Sequence, residues 1–485
     1  MRQQHHSSIG KLGRCAIILI ALLPACAYQT YTPKPIDLAT VTRDIGARDP
    51  FSTDFQIYLQ AQGYEAAQLP PEQWGLNEFI YSALFFHPDL DVARANWRAA
   101  QAGETVAAQR PNPGISVDTE KHSEHDNGIS PWTYGLAIDI PIETAGKREA
   151  RIDRAVSLSE AARIEIAQTA WNVRSRVHAS WLAWQHGRQL VDLLKEEHRL
   201  RSEITDMLEA RFKAGMISSL ELANARLQLQ RNRQSLDTET ARLNELKATL
   251  ASDAGLTLQS LEKIELQVAD LTQTNRQGQQ LADHAQLLDQ LRQAALLNRL
   301  DIRAALARYD AAEARLRLEI ARQYPDFVLS PGYIYDQGDK IWTFGLSTLL
   351  TLLNRNEGNI AEAEAQREVE TAKIRKLQSA IIGDLESRSA AYQEALANLT
   401  DTRRLLEAQQ NRARLTARQF EQGIADRLEL AGSQLEALQI KYNLLASDLR
   451  LQQANRALED ALQHPLETAL AMPEDFRQQV PGESR

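Results

Sequence analysis

The chain repeats itself. Leu90-Asp91-Val92 returns as Leu300-Asp301-Ile302, and Trp132-Thr-Tyr-Gly-Leu136 returns as Trp342-Thr-Phe-Gly-Leu346. Phe212-Lys-Ala-Gly215 returns as Phe420-Glu-Gln-Gly423, and Leu220-Glu221-Leu222 as Leu428-Glu429-Leu430. The matches keep one order at an offset of about 210 residues, the mark of a duplicated unit. The 485 residues therefore read as two copies of one architecture, more chain than a single ordinary core holds.

Each copy has the same local pattern. A helical stretch of about 34 residues comes first (76–109 and 286–323), closed by Pro111 and Pro113 or by Pro325. Two strands follow in each, expected over 113–121 and 132–142, then 325–336 and 340–352. Trp132, Tyr134, Leu136, Ile138, Ile140 and Ile142 alternate with Thr133, Gly135, Ala137 and Asp139. Trp342, Phe344, Leu346, Leu350 and Leu352 do the same against Thr343, Gly345 and Ser347. Period two over about ten residues, with one apolar and one small or polar face, is the pattern of a barrel strand. Next comes a long helix without proline, Ala145 to Phe212 and again 355–420. About 67 residues make roughly 100 Å of helix. A tight turn and a shorter helix end each copy, 218–253 and 426–462. The two short helices of a copy sum to nearly the long one, so stacked end to end they can lie along it.

Leu222, Leu229, Leu236, Leu243 and Leu250 form a heptad, matched by Leu430, Ala437, Leu444, Leu451 and Leu458. That spacing drives helix against helix, with Glu, Gln, Arg and Lys leaving the other side wet.

The first 25 residues are a processing segment. Lys11 and Arg14 precede the apolar run Cys15 to Leu23, too short to span a bilayer. The run ends in Leu23-Pro24-Ala25-Cys26, which resembles a bacterial lipobox with Cys26 as the acylated mature N-terminus. Loss of Cys15 and acylation of Cys26 leave no free thiol, which excludes disulfides and cysteine-bound metals. Residues 26–75 are expected to be an extended lipid-proximal segment, 256–285 a segment between the copies, and 465–485 a loose tail.

The formal net charge of −9 excludes a nucleic-acid partner, which needs basic patches. No phosphate loop, nucleophile elbow or HExxH pair appears, so neither a catalytic site nor a cofactor is expected. His122-Ser-Glu-His125-Asp126 has metal-binding residue types but reads as a solvated loop, and no metal is expected.

Beyond residue 25 no run of 18 apolar residues exists. Passage through a membrane therefore has to use strands. Four strands close no barrel, and open edges are not tolerated in lipid, so several chains must share one. Trp132, Tyr134, Tyr333, Tyr335, Trp342 and Phe344 suit the aromatic belts of such a barrel.

The order short helix, strand pair, long helix, short helix, given twice over 76–464, resembles the TolC-like outer-membrane factors. Pro88-Asp89-Leu90, Pro141-Ile-Glu-Thr-Ala-Gly-Lys-Arg148 and the turns Phe-x-x-Gly-x4-Leu-Glu-Leu at 212–222 and 420–430 carry the resemblance. The second copy has Asn298-Arg299-Leu300 where the first has the early proline. The resemblance implies a mainly α fold with a small β part, assembled as a homotrimer. Three chains would share a 12-stranded transmembrane β-barrel that continues as a coiled-coil α-helical tunnel in the periplasm. Residues 256–285 would lie at the tunnel's equator. The tunnel would dock on a periplasmic adaptor and an inner-membrane RND-type pump, a passive export duct and not an enzyme.

It further implies that the turns are the periplasmic tip, with Phe212, Gly215, Phe420 and Gly423 facing the adaptor. Gly215 and Gly423 suit left-handed helix ends, and Ser218-x-x-Glu221 and Asp426-x-x-Glu429 suit capping boxes. By the family pattern Glu221 and Glu429 also lie in the ring that narrows the pore. An Arg that some members carry two residues after the second Gly is Ile217 or Ala425 here, with Arg427 nearby as a substitute. The Glu-Thr-Ala-Gly-Lys-Arg segment is similar to outer-membrane components of heavy-metal export systems, with drug efflux and type I protein secretion as alternatives. A periplasmic adaptor or structural coiled-coil lipoprotein is the reading from another class. An adaptor would carry one hairpin between β-rich segments, where this chain has two hairpins and few strands.

Overall fold

The computed structural model describes residues 29–123, 128–268, 285–351 and 353–466. Residues up to Ala47 form a separate unit, in which Asp37 caps helix α1 (Leu38–Gly46) by accepting from the Ala39 N–H at 3.0 Å.

The larger unit, from Arg48 onward, starts with α2 (Thr53–Ala61) and the two-residue strand β1 (Gln73–Trp74). The segment 26–75, expected to be extended, is thus partly helical, and Phe55, Leu59 and Trp74 are fully buried. Aromatic bulk at these positions outweighs the surrounding Pro and polar residues, because a buried aromatic removes more apolar area than any other side chain.

The first helical stretch, expected as one piece, is two. α3 (Leu76–Phe86) stops at His87, and α4 (Pro88–Ala108) begins with proline at its first turn, where a missing N–H costs nothing. The His87 ring caps α4 by accepting from Asp89 N–H at 3.2 Å. The second stretch breaks at the same place without proline, into α8 (Ala285–Asn298) and α9 (Leu300–Ala321). There Arg299 leaves the helical region and donates to the Ala461 carbonyl, while Leu300 N–H reaches Gln463 Oε1 at 2.7 Å. The break is held by the end of another helix.

Strands β2 (Gly114–Lys121) and β3 (Trp132–Ile142) lead into α5 (Lys147–Lys213), which returns as α6 (Ser219–Asp253). A single-turn helix α7 (Leu258–Leu261) and strand β4 (Glu265–Leu266), parallel to β1, follow. After α8 and α9, strands β5 (Phe327–Asp336) and β6 (Asp339–Thr348) lead into α10 (Glu357–Glu421) and α11 (Arg427–Leu462). β6 stops short of the expected residue 352, as Thr348 and Thr351 turn back to donate to the Asp326 and Gln323 carbonyls at 2.8 and 2.9 Å.

The short helices do stack. α11 ends on α9 through Arg299 and Gln463, as above. α6 ends at the joint between α3 and α4, with Ser82 Oγ of α3 on the Ala254 carbonyl (3.0 Å) and Arg48 on the Gly255 carbonyl (2.9 Å). Gly255 has φ +74°, and a Cβ there would lie 2.9 Å from the Phe86 backbone, so only glycine fits this joint. α5 packs against α3, α4 and α6 of the first half and α9 and α11 of the second, while α10 packs against α8, α9 and α11 of its own half.

The main core lies mid-length on α5. Ile166, Ala170, Val173, Val177, Trp181 and Trp184 meet α2, α3, Trp74, the end of α6 and Leu261 and Ile264. The described part of 256–285 therefore belongs to this core; the rest of it and nearly all of 465–485 lie outside the described residues. A smaller core joins α10 and α11 through Ile381, Leu385, Tyr392, Leu399, Leu451 and Leu458. Between the halves lies a fully buried ion pair, Arg174 of α5 with Glu459 of α11 at 3.3 Å, the arginine also stacked on Trp171.

Candidate functional site

The sheet has two faces of opposite chemistry. Its order is β2-β3-β5-β6, every pair antiparallel, so the two halves of the chain meet at β3 and β5. The register puts Tyr134 opposite Tyr335, Leu136 opposite Tyr333 and Ile140 opposite Leu329. It puts Tyr333 opposite Trp342 and Leu329 opposite Leu346. One face is therefore Ile115 and Val117, then the Trp132 to Ile142 series, then Phe327, Leu329, Tyr333 and Tyr335, then Trp342, Phe344 and Leu346. Trp342 and Phe344 are 84% and 73% exposed, far beyond what an isolated soluble sheet leaves to water.

The opposite face is polar and hydrogen-bonded. Asp139 accepts from Ser116 Oγ and from Ser330 Oγ, the latter at 2.5 Å. Asp336 accepts from Thr133 Oγ1 at 2.5 Å, and the His122 ring lies 2.9 Å from the same hydroxyl. Glu124, His125 and Asp126 of the loop cluster lie outside the described residues. The outer edges, β2 and β6, have no partner strand among the described residues.

The strand-to-helix elbow is tied across the halves by a contact that sequence reasoning missed. Lys147 Nζ donates to the Tyr324 carbonyl and to Asp326, both at 2.7 Å. Thr144 adds its N–H to Asp326 at 2.9 Å and its hydroxyl to the Pro325 carbonyl at 2.7 Å. Thr144 and Lys147 both lie within the quoted Pro141 to Arg148 motif. Their partner's place, in the other half, is what one-dimensional pattern hides.

The helical turns form the second candidate region. Gly215 and Gly423 both have φ +73°. Each closes its long helix with the same bond pair, Gly215 N–H to Phe212 O and Met216 N–H to Arg211 O, and Gly423 N–H to Phe420 O and Ile424 N–H to Gln419 O. Phe212, Met216, Phe420 and Ile424 are all exposed. Only the second turn makes a full capping box, with Glu429 N–H on Asp426 (2.8 Å) and Asp426 N–H on Glu429 (3.1 Å). In the first, Ser218 Oγ accepts from Glu221 N–H at 3.2 Å, but the Glu221 carboxylate does not reach back. The expected box there is half formed, and Glu221 faces solvent.

The two turns are linked within one chain. Arg211 pairs with Asp426 at 2.6 Å, and Arg427 lies 4.0 Å from Glu203. These backbone and arginine contacts hold the Asp426 carboxyl below the usual carboxylate range, the Glu429 N–H contributing most. Ion pairs this exposed contribute about 0–1 kcal/mol each, so they position the turns more than they stabilise them. Cys26 lies outside the described residues. Among the described residues no cluster of His, Cys, Asp or Glu could hold a metal ion, and no helix is long and apolar enough to cross a membrane.

Comparison with known proteins agrees with this geometry. The family model described as outer membrane efflux protein matches residues 79–286 and 291–463. The cobalt-zinc-cadmium resistance protein CzcC of Cupriavidus metallidurans is 26% identical over 280 residues, covering 57% of this chain and 63% of that protein. The putative multidrug resistance outer membrane protein MdtQ of Escherichia coli is 22% identical over 400 residues, 76% of this chain and 81% of that protein. Among solved structures, the outer membrane protein VceC of Vibrio cholerae superposes with a TM-score of 0.64 at 20% identity, covering 81% of this chain and 97% of that one. With both halves matched, the helical hairpins and the two-faced sheet in place, the chain belongs to the outer membrane efflux protein family.

Proposed function

We propose that this chain is one subunit of a homotrimeric export channel, the outer-membrane part of a tripartite efflux system. Three duplicated units pairs, one pair per chain, supply 12 strands to one barrel and the helical hairpins to a tunnel in the periplasm. The observation that carries this reading is the four-stranded sheet with a continuous apolar face, a polar face and two open edges. Such a sheet is stable in lipid only when its edges are closed by other copies. Cys26 carries the lipid anchor and is the mature N-terminus, residues 1–25 being the leader that is removed. The chain does no chemistry and takes no cofactor; solutes diffuse through it, and a separate inner-membrane pump of RND type supplies the energy.

The tips dock the adaptor through Phe212 and Phe420, which the left-handed Gly215 and Gly423 leave at the turn surface. Glu221 and Glu429 face the narrowing and favour cations. The substrates are metal cations or drugs, following the names of the two relatives above. Type I protein secretion uses the same kind of duct and is the other reading.

The test is the protein's state after extraction. A detergent-dependent particle of three chains supports the proposal. A monomer that stays soluble without detergent would replace it with a periplasmic coiled-coil lipoprotein.

A further inference from the structure

The alternation on β6 runs further than β6 itself. Leu350 continues the apolar series of Trp342, Phe344 and Leu346, yet the strand ends at Thr348. Beyond it Leu349, Leu350 and Leu353 are 83%, 65% and 103% exposed, with no partner among the described residues. Its counterpart β3 is paired on both sides, with β2 and with β5, and runs unbroken from Trp132 to Ile142. Among the described residues β6 lacks the second neighbour that β3 has, and its end is held instead by Thr348 and Thr351 on the Asp326 and Gln323 carbonyls.

The contact that β3 makes within the chain supplies the template for that neighbour. Trp132 and Trp342 hold the same place in the two hairpins, opposite Lys121 and Tyr333 respectively. Thus Leu346 stands for Leu136, and Lys121 stands for Tyr333. The observed pair Leu136 with Tyr333 becomes Leu346 with Lys121 of a second copy. Likewise Ile140 with Leu329 becomes Leu350 with Val117 of a second copy. A one-residue slip would have put Val117 against the polar face, because side chains alternate. The transferred register sets Val117 (71% exposed) beside Leu350 on the apolar face.

We infer that residues 349–351 are the unfinished end of β6, completed by β2 of a second copy in the register Leu346 to Lys121 and Leu350 to Val117. This rests on the shared-barrel reading and fixes what that reading leaves open, the residue-by-residue joint between copies. The completed strand sets Leu350 on the apolar face, in line with Trp342, Phe344 and Leu346, and Leu349 on the opposite face.

Cysteine pairs in the full-length protein test it. Directly opposed strand residues bring Cβ atoms within disulfide reach, and neighbours two residues along do not. Val117→Cys with Leu350→Cys, and separately Lys121→Cys with Leu346→Cys, should convert most of the protein into covalent oligomers under mild oxidation, reversed by reductant. Thr119→Cys with Leu350→Cys and each single variant should stay largely monomeric in SDS. Pore formation by the reduced variants is measured alongside. Pores without cross-links, or cross-links strongest in the offset pair, would overturn the register while the channel reading stands. Absence of both pores and cross-links would remove the shared barrel and this joint with it.

Discussion

The two long helices are near twins in length and opposites in burial. α5 has 67 residues and α10 has 65. α5 buries side chains in nearly every turn from Ser159 to Leu194, among them Trp171, Trp181 and Trp184. α10 buries Ala363, Ile381, Leu385, Ser389, Tyr392 and Leu399 and nothing else. Both carry a weak apolar stripe, and they differ in neighbours: α5 meets helices of both halves, α10 those of its own half. The elbows beneath them differ in the same direction. Lys147 locks the β3 to α5 elbow onto the other half, whereas its counterpart ahead of α10 is the exposed Glu357, and that elbow is held within its own half by Asn356 donating to the Glu319 carbonyl at 2.8 Å. The bare side of α10 is the surface that the proposed trimer would cover with a second copy.

That contrast can be broken at its strongest point first. Phe79 is fully buried against Trp74 and Trp181, so Phe79→Ala should cost about 3–5 kcal/mol. Phe420→Ala at the exposed end of α10 should stay within about 0.5 kcal/mol. Thermal unfolding of the detergent-purified protein compares them, and equal losses would dissolve the distinction between the regions.

The buried Arg174 and Glu459 pair gives the next effect. Arg174→Met alone strands a carboxylate and should cost about 3–5 kcal/mol, while Arg174→Met with Glu459→Met should be near neutral or stabilising. Similar losses for the single and double variants would show that the charges themselves are needed.

Acid sensitivity comes third. Burial, with Arg174 and Arg456 nearby, pushes the His178 ring down to about 3. Below pH 6.5 the unfolded chain binds a proton that the folded chain refuses. Stability is thus intact above that pH and falls as pH drops toward 3, by about 1.4 kcal/mol per unit. Unfolding measured at pH 7 and pH 5 should differ by about 2 kcal/mol more in the native protein than in His178→Leu. α10 carries no histidine, so its hairpin should contribute no such slope.

The smallest effect separates two left-handed glycines. Gly215→Ala meets open space and should cost only the backbone strain, about 1–2 kcal/mol, at the tip. Gly255→Ala adds a backbone clash at 2.9 Å and should cost more and weaken the main core. Local hydrogen exchange reports where each substitution acts.

Much of this was legible in the chain. The strand faces could be read because alternation is a local property, and β3 lies at its expected bounds. The long helices could be read because proline is absent over their whole length. The break at Arg299 was hidden because its cause, the carbonyl end of α11, is 162 residues away. Residues 51–74 looked irregular because their aromatics serve a core made mostly by other segments. At the tip, Gly215 and Gly423 followed from sequence, whereas the Arg211 to Asp426 link did not, since no periodicity relates the two turns.

The most direct test of the account is single-channel conductance of the purified protein in planar bilayers, with and without Glu221→Gln and Glu429→Gln. The account predicts cation-selective pores from an SDS-sensitive trimer, less selective in the variants. Pores of unchanged selectivity would reduce the two glutamates to residues of the helix caps. No pores, from protein that stays soluble without detergent, would contradict the channel itself.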